Sequence, residues 1–309
     1  MLKYTDAQIK EKVENILNKE VKVTPIGNHQ LDRHLVYLVT DRFNHSVVFK
    51  LYYKKNRRNR EIASLNLLTK SDVRCPKIVA NGKLKDGTEW LITEYIKGQV
   101  FDKVRKDMDI LDQLHILKEM GNELGKIHSY KTFDFFGNWD RHGKSIENIK
   151  DYRKVFIRRC ERTLDNLLKQ QLPDINLQRK AAKKLRDNYH LIDNISVSRL
   201  SHNDFDGRNV LVKKTDEKWK LSGVLDFEQC IPWDKDQDIA TLYHKYFLKS
   251  KEYKEAFYRG YNKYFNDKDI NKEKINFYLL YNGLVICSWT YDVVNEYYKE
   301  GIKLLKHLV

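Results

Sequence analysis

Proline, glycine and cysteine are all scarce in this chain of 309 residues. Only 4 prolines and 13 glycines are present, which excludes collagen-like chains and disordered chains rich in Pro and Gly. The 4 cysteines are far apart and form no CxxC pair, so they indicate neither a zinc site nor a disulfide framework. Such thiols are typical of a reducing compartment, and we therefore expect a cytoplasmic protein. They are Cys75, Cys160, Cys230 and Cys287.

Long apolar runs are also absent. The first ten residues contain no apolar core of the kind that marks a secretory signal. The longest mostly apolar stretch, Phe277–Trp289, is interrupted by Asn282 and Gly283 and is too short to cross a bilayer. We therefore expect no membrane partner. With 41% hydrophobic residues, the chain can bury a sizeable core and is long enough for two domains or one bilobal domain.

Acidic residues are too few to balance the basic ones, and the formal net charge is +15. Such an excess fits a nucleic acid or another polyanion as partner, and it fits equally well a composition that is simply rich in lysine. The densest basic run is Lys54–Arg60, and no recurrent nucleic-acid-binding motif accompanies it. We interpret the run as a solvated face and do not expect a nucleic-acid partner. A polyanion-binding protein remains the alternative from another functional class.

The first 96 residues predict an antiparallel α+β unit. Thr5 and Gln8 form a capping box that begins a helix, and Asp86-Gly87 between two apolar runs indicates a hairpin. Helical spacing of apolar residues predicts a second helix within residues 57–70. The predicted strands are Val21–Ile26, His34–Thr40, Ser46–Tyr52, Lys77–Leu84 and Trp90–Ile96.

The remaining residues predict a mainly helical unit. A short β-rich segment, Leu200–Phe227, interrupts the helices. The change in pattern before Gly98 predicts two domains, residues 1–96 and residues 97–309. Apolar periodicity predicts helices near residues 110–127, 155–168, 237–248 and 251–265, and one helix from residue 272 to the end.

Two carboxylates and a carboxamide converge in the β-rich segment. Asp204 and Asn209 belong to a loop that ends at the apolar strand Val210–Val212. A second short strand, Leu221–Leu225, delivers Asp226 beside that loop. Such hard oxygen ligands suit Mg²⁺ with a phosphate and do not suit zinc. The segment therefore predicts a phosphate site that depends on Mg²⁺.

These residues resemble the catalytic signature of protein-kinase-like enzymes, H-x-D-x-x-x-x-N followed by an apolar strand and D-F. His202, Asp204 and Asn209 occupy the first motif, and Asp226 begins the second. The short path from Asp226 to Asp238 leaves no room for the activation segment of a protein kinase. The chain is therefore most similar to the small-molecule branch, the aminoglycoside phosphotransferase and choline kinase family. Further elements that resemble this family are Gly125–Ser129, Asp226–Gln229 and Asp238–Ala240.

The resemblance implies a bilobal α+β fold and a mechanism. The N-terminal lobe would be an antiparallel five-stranded sheet with a helix, and the C-terminal lobe would be mainly helical. Asp204 would accept or orient the proton of an acceptor hydroxyl, while Asn209 and Asp226 would hold Mg²⁺. ATP or GTP would be the co-substrate. His202 and Asp238 would be buried supports of the catalytic loop.

The family requires a lysine on the third strand. Lys50 lies within an apolar strand, where a charge is costly to bury unless it is paired. Glu61 is the only acidic residue between Lys50 and Ser71, so it is the expected partner and would orient Lys50 toward the α- and β-phosphates. By the same resemblance the phosphate loop would be Gly27–Arg33, and the hinge that binds the base would comprise Thr93, Glu94 and Ile96.

The acceptor is expected to be a cationic small molecule. From Asp204 to Asp238 there are nine acidic and six basic residues, within a chain whose net charge is +15. Acids without an assigned role would meet the ammonium groups of an amino sugar, although such residues are equally typical of turns and caps. The predicted function is therefore an aminoglycoside phosphotransferase that confers antibiotic resistance, as a monomer or dimer. Kinases of choline, homoserine, fructosamine or methylthioribose remain alternatives. The candidate acceptor residues are Asp206, Glu228, Asp234 and Asp236.

Overall fold

The computed structural model describes residues 4–27, 29, 34–266 and 270–309. It begins with helix α1 (Asp6–Leu17), whose N-cap Thr5 forms the predicted capping box with Gln8. A five-stranded antiparallel sheet follows, in the order β1-β2-β3-β5-β4, and helix α2 (Arg57–Leu68) connects the third strand to the fourth. The strands are β1 (Val21–Ile26), β2 (His34–Asp41), β3 (Ser46–Tyr52), β4 (Ile78–Lys83) and β5 (Glu89–Glu94).

Buried and more exposed side chains alternate along β2, so one face of this sheet packs against a hydrophobic core. Every second residue of β2 is buried, and the apolar ones pack with Ile9 and Val13 of α1. β3 is the central strand and pairs with both β2 and β5. Lys50 lies opposite Val36 on one side and Leu91 on the other, so the only lysine of β3 is held in the middle of the sheet.

Strand β5 ends earlier than the sequence pattern predicts. β5 ends at Glu94 and not at Ile96, because the chain leaves the sheet there and crosses to the helical part. Gly98 makes a close crossing possible, since a Cβ on it would lie 2.5 Å from Ser222 Oγ and 3.0 Å from the Val212 carbonyl oxygen. The crossing segment is thus pressed against the strands that carry the predicted metal ligands.

Helices predominate after residue 100, as predicted. They are α3 (Phe101–Val104), α4 (Ile110–Tyr130), α5 (Tyr152–Lys169), α6 (Ile175–Asp187), α7 (Asp236–Leu242), α8 (Lys251–Tyr261), α9 (Lys272–Thr290) and α10 (Asn295–Leu308). α4 and α8 cross closely, because a Cβ on Gly121 or on Gly260 would lie 2.0 Å from a carbonyl oxygen of the other helix. Among the described residues, none of the helices combines the length and the apolar character that a membrane span requires.

Several helices differ from the sequence prediction. Apolar periodicity does not predict α6, because its buried residues are mainly small or polar, such as Ala181, Ala182 and Gln178. The helix predicted near residues 237–248 is α7 followed by a π-helical turn, Tyr243–Phe247. The single helix predicted from residue 272 onward is wrong, since α9 and α10 are separate and α10 folds back onto α9. Gly301 permits this packing, because a Cβ there would lie 2.9 Å from Cys287 Sγ.

Two small sheets position the predicted catalytic segment. Their strand orders are β10-β9-β6 and β11-β8-β7, and β9 and β10 form the predicted hairpin. The loop with Asp204 therefore lies between β8 and β9, and Asp226 follows β10. The strands are β6 (Gln99–Val100), β7 (Thr132–Phe133), β8 (Ser198–Ser201), β9 (Val210–Thr215), β10 (Lys218–Val224) and β11 (Ile231–Trp233).

This architecture confirms the α+β class, with a five-stranded antiparallel sheet before a mainly helical part. The domain boundary between residues 96 and 97 stays a prediction. Apolar residues of α2, including Ile62, Leu65 and Leu68, belong to the large core that also contains Leu117 and Leu124 of α4. α2 is therefore packed against the helical part, and this contact brings Glu61 to the junction between sheet and helices.

Candidate active site

A buried lysine on the central strand is the centre of the candidate site. The Nζ atom of Lys50 lies 2.9 Å from Glu61 Oε2, and Tyr52 on the same strand donates a hydrogen bond of 2.6 Å to that oxygen. Glu61 lies in the middle of α2, which the chain reaches directly after β3. The structure thus brings together the lysine and the glutamate that the sequence predicted as partners.

Two further carboxylates reach the same ammonium group. Asp226 Oδ1 lies 2.7 Å and Glu228 Oε2 3.0 Å from Lys50 Nζ. Asp226 has a left-handed backbone, with a φ of 63°, and this turn directs the following residues toward the sheet. Glu228 also contacts His34 Nδ1 at 3.2 Å and Arg57 Nη1 at 3.3 Å. We call Lys50 and its three carboxylates the lysine cluster.

The close charges of the lysine cluster shift the pKa values of its members. Burial favours neutral Lys50, but the three carboxylates outweigh it and raise the pKa of Lys50 well above its usual value. Burial raises the pKa of Glu61. Burial also acts to raise the pKa of Glu228. The positive charge of Lys50, followed by the contact with His34, outweighs this effect and holds the pKa of Glu228 well below its usual value. Lys50 therefore stays charged at neutral pH.

Oxygen donors at this position suit a divalent cation. The carboxylates of the lysine cluster have oxygens within 4.8 Å of one another. Asn209, the other predicted ligand, donates its side-chain amide to the Asp204 carbonyl at 2.8 Å. Its own carbonyl accepts a 2.8 Å hydrogen bond from the Leu225 N–H, so Asn209 lies beside Asp226. This set of hard oxygen donors fits Mg²⁺.

The carboxylate of Asp204 lies at the bend of the loop between β8 and β9. Arg208 Nη2 lies 3.0 Å from Asp204 Oδ1, and about a third of the Asp204 side chain is exposed. Burial raises the pKa of Asp204 to about 6, with Arg208 opposing the shift and the nearby Asp206 and Asp226 adding to it. Such a carboxylate is ionised at neutral pH and is a stronger base than an ordinary aspartate.

A buried aspartate fixes the start of this loop. Asp238 accepts hydrogen bonds from the backbone N–H groups of His202 and Asn203, at 2.7 and 2.6 Å. His128 Nε2 lies 3.0 Å from Asp238 Oδ2, and burial lowers the pKa of His128 despite this neighbour. His202 Nε2 lies 3.0 Å from the Leu225 carbonyl oxygen. The predicted support residues therefore connect the Asp204 loop to the turn that carries Asp226.

The predicted hinge lies where the chain leaves the sheet. Thr93 is buried and Glu94 is the last residue of β5. Within the described residues, the Ile96 N–H donates no backbone hydrogen bond. The Ile96 side chain packs on Gly223, where a Cβ would lie 2.7 Å from Ile96 Cδ1. Most of the predicted phosphate loop, residues 28 and 30–33, lies outside the described residues.

The four acids predicted to meet a cationic acceptor are all buried and all paired with basic side chains. Asp206 accepts a hydrogen bond of 2.6 Å from Arg208. Asp234 and Asp236 share the Lys274 ammonium, at 3.1 and 2.6 Å. The fourth acid belongs to the lysine cluster. An incoming ammonium group would have to displace one of these partners.

The model of the phosphotransferase enzyme family matches residues 22–272, a range that contains the lysine cluster, the Asp204 loop and the hinge. The chain belongs to the phosphotransferase enzyme family. No curated protein sequence matches it.

Solved structures share the fold of this phosphotransferase at low sequence identity. A thermostable mutant of aminoglycoside phosphotransferase APH(4)-Ia, in ternary complex with AMP-PNP and hygromycin B, is 13% identical over 97% of this chain and 96% of its own, with a TM-score of 0.72. APH(2")-IIa in complex with gentamicin is 19% identical over 99% and 97%, with a TM-score of 0.66. A putative aminoglycoside phosphotransferase from Ralstonia eutropha JMP134 is 14% identical over 96% and 94%, with a TM-score of 0.65. These similarities confirm the predicted protein-kinase-like fold.

Two features of the phosphotransferase site did not follow from the sequence reasoning. The sequence pattern predicts Glu228 as an acceptor residue and does not predict its contact with Lys50 Nζ at 3.0 Å, to which the left-handed turn at Asp226 contributes. Arg208 had no predicted role, yet it contacts both Asp204 and Asp206. The sequence did contain a signal for this pairing, since Arg208 follows Asp206 by two positions and Asp204 by four within one tight loop.

Proposed function

We propose that this phosphotransferase moves the γ-phosphoryl group of ATP or GTP to a hydroxyl group of a small molecule, and that the acceptor is an aminoglycoside. The observation that carries the reaction type is the lysine cluster directly beside the Asp204 loop. The acceptor class is supported by the likeness to structures that contain hygromycin B or gentamicin, and the nucleotide by the likeness to one that contains AMP-PNP.

The proposed reaction is an in-line transfer. The acceptor oxygen attacks the γ-phosphorus, the bond to the β–γ bridging oxygen breaks, and the nucleoside diphosphate leaves. Asp204 takes the proton of the acceptor hydroxyl, a role that its pKa of about 6 supports. Lys50, oriented by Glu61, binds the α- and β-phosphates. Asn209 and Asp226 would hold Mg²⁺, whose charge offsets that of the triphosphate.

The base of the nucleotide would bind at the hinge. The backbone carbonyl of Glu94 and the N–H of Ile96 would hydrogen-bond to it, and Thr93 would line the base. His202 and Asp238 would hold the catalytic loop in place without contacting the substrate. A loop fixed in this way keeps Asp204 in position before the acceptor binds, which is how positioning lowers the barrier to phosphoryl transfer.

A second candidate acceptor is a small metabolite that is not polycationic. The observation that favours it is the pairing of all four predicted acceptor acids with basic residues. For example, Asp206 is fully buried against Arg208, and Asp234 also accepts a 2.7 Å hydrogen bond from Tyr278. Homoserine, fructosamine, methylthioribose and choline represent this class, although choline itself carries a single cation.

A product assay separates these candidates. The purified chain with Mg²⁺ and ATP or GTP is incubated with hygromycin B, gentamicin and streptomycin, and in parallel with the four metabolites. We expect a phosphorylated aminoglycoside by mass spectrometry, and no product with Asp204→Asn. The control Asp216→Asn changes an acid in the hairpin turn between β9 and β10 and should retain activity. Products from metabolites alone would reject the aminoglycoside, and no product from any acceptor would reject the reaction type.

A further inference from the structure

A cavity lined by arginines lies between α2 and α5, next to the segment Gln229–Trp233 that follows the Asp226 turn. Its volume is about 240 Å³. The chain has 17 arginines and 41 lysines, yet five of the arginines and none of the described lysines line this cavity. The arginines are therefore not explained by a lysine-rich composition. They are Arg57, Arg60, Arg158, Arg159 and Arg162.

Helical spacing aims these arginines at the same space. Arg158, Arg159 and Arg162 follow Val155 by three, four and seven residues, so they share one face of α5. The residues of α2 come from the basic run Lys54–Arg60, which we interpreted as a solvated face. The arginines of that run have different environments in the structure. Arg57 and Arg60 line the cavity, while Arg58 is buried and pairs with Glu89.

The positive charge of the cavity is only partly compensated. Glu147 is the one acid among the described residues that line the cavity, and it pairs with Arg158. Arg57 contacts Glu228 at 3.3 Å. Within the part of the chain that the structure describes, Arg162 has no carboxylate partner. Arg158, Arg159 and Arg162 are exposed to solvent, whereas Arg57 and Arg60 are partly buried. Like charges at this spacing on one helix repel each other, and the solvent screens this repulsion less at the buried arginines than at the exposed ones.

Arg60 is the arginine most affected by the neighbouring positive charges. Its guanidinium donates a hydrogen bond to the neutral side-chain oxygen of Asn138, and its Nε is buried without a hydrogen-bond partner among the described residues. Burial, then Arg57 and Arg159, lower the pKa of Arg60 to about 9. Arg60 still carries its charge at neutral pH. An anion beside Arg60 would accept a hydrogen bond from this buried donor and would offset the excess of like charge around it.

We propose that this cavity binds the oxyanion group, phosphate or carboxylate, of a small molecule. The guanidinium group is a planar fork of N–H donors that matches both oxyanions in bidentate geometry, whereas an ammonium group does not. The cavity is several times larger than the about 30 Å³ that one water molecule occupies. Its remaining walls include Phe136, Val155 and Ile231, which would contact the carbon body of the ligand.

The cavity adjoins the catalytic loop. Gln229 lines it, and the Gln229 carbonyl accepts a 3.4 Å hydrogen bond from the side chain of Asn203, the residue before Asp204. Because the cavity lies so close to Asp204, the bound anion can belong to one of two molecules. It is either an acidic group of the acceptor itself or a separate anion that binds beside the acceptor. The proposal concerns binding alone and stands whether or not the phosphoryl transfer proposed above is correct.

Calorimetric titration of the full chain tests the site. Inorganic phosphate and citrate are the probes, at constant ionic strength with chloride as reference. We expect saturable binding that Arg162→Gln weakens about tenfold, since one charge-assisted hydrogen bond is lost. Lys154→Gln removes a charge from an exposed position of the same helix outside the cavity and should leave the affinity unchanged. Arg158→Gln provides a second variant if Arg162→Gln unfolds, which circular dichroism shows.

The outcomes separate the alternatives. Equal affinity in the wild type and both arginine variants, or no saturable binding, would overturn the oxyanion site. Glucose 6-phosphate and glycerate, tested as acceptors with Mg²⁺ and ATP, distinguish the sources. If either is phosphorylated and Arg162→Gln raises its KM, the oxyanion belongs to the acceptor, and the aminoglycoside assignment fails. If phosphate binds but neither compound is phosphorylated, the site serves a separate anion.

Discussion

Removing the ammonium group of Lys50 tests the charge balance of the active site. Lys50→Met leaves three carboxylates within 4.8 Å of one another without the cation that lies 2.7 to 3.0 Å from each of them. One of them must then take up a proton for the chain to stay folded. We expect that residue to be Glu61, because burial already raises its pKa and Glu228 keeps Arg57 as a partner.

The free energy needed to protonate Glu61 determines how much Lys50→Met destabilises the chain and how this loss depends on pH. The ordinary pKa of Glu61 is 4.5, and each pH unit above it corresponds to about 1.4 kcal/mol. Protonation therefore costs about 4 kcal/mol at pH 7.5, within the range of about 3–5 kcal/mol for breaking a buried ion pair. At pH 5.5 it costs only about 1.4 kcal/mol. A group whose folded pKa is raised loses its contribution as pH rises, so Lys50→Met should be most destabilising at high pH.

Urea denaturation of the two proteins at both pH values measures this difference. We expect the loss in the free energy of unfolding to be larger at pH 7.5 than at pH 5.5, by at most about 2.7 kcal/mol, because Glu61 in the wild type already has a raised pKa. The double variant Lys50→Met/Glu61→Gln should be more stable than Lys50→Met at pH 7.5, because it contains one unpaired charge fewer. Lys85→Met, an exposed residue in the turn between β4 and β5, is the control and should cost less than about 0.5 kcal/mol. A loss that does not vary with pH, or a double variant less stable than the single one, would refute the reasoning.

Three further predictions address catalysis, metal and packing. Asp204→Ala should lower kcat about 10²–10⁴-fold without changing nucleotide affinity, and wild-type kcat should fall as pH decreases through about 6, because only the ionised carboxylate accepts a proton. A kcat that stays constant down to pH 5 would exclude Asp204 as the base. Asp226→Ala should weaken the Mg²⁺-dependent binding of AMP-PNP about 10–100-fold, and calorimetry with and without Mg²⁺ checks this; equal affinities in wild type and variant would contradict it. Gly121→Ala should destabilise the chain by about 1–3 kcal/mol, since the added Cβ would lie 2.0 Å from the Phe257 carbonyl oxygen; a urea midpoint equal to that of the wild type would show that α4 and α8 separate without cost.

Local features allowed much of the fold to be predicted. β1 and β3 have the predicted boundaries, because alternation and turn residues act over a few positions. α6 could not be found in this way, since its buried face consists of small and polar residues. Lys50 and Glu61 were recognisable as partners because α2 follows β3 directly and the stretch between Lys50 and Ser71 contains a single acid.

The sequence by itself determined which elements form and which motifs this protein carries, since periodicity, capping and motif spacing are local properties. Only the tertiary structure decided how the charges pair. Asp226 reaches Lys50 across 176 positions of sequence, and Lys274 of α9 meets two acids of the predicted acceptor set. The arginines of α2 and α5 have visible helical spacing, but their common cavity exists only because the two helices pack side by side. Charge pairing depends on distance in space, and a chain of 58 basic and 43 acidic residues allows far more pairings than one fold can form.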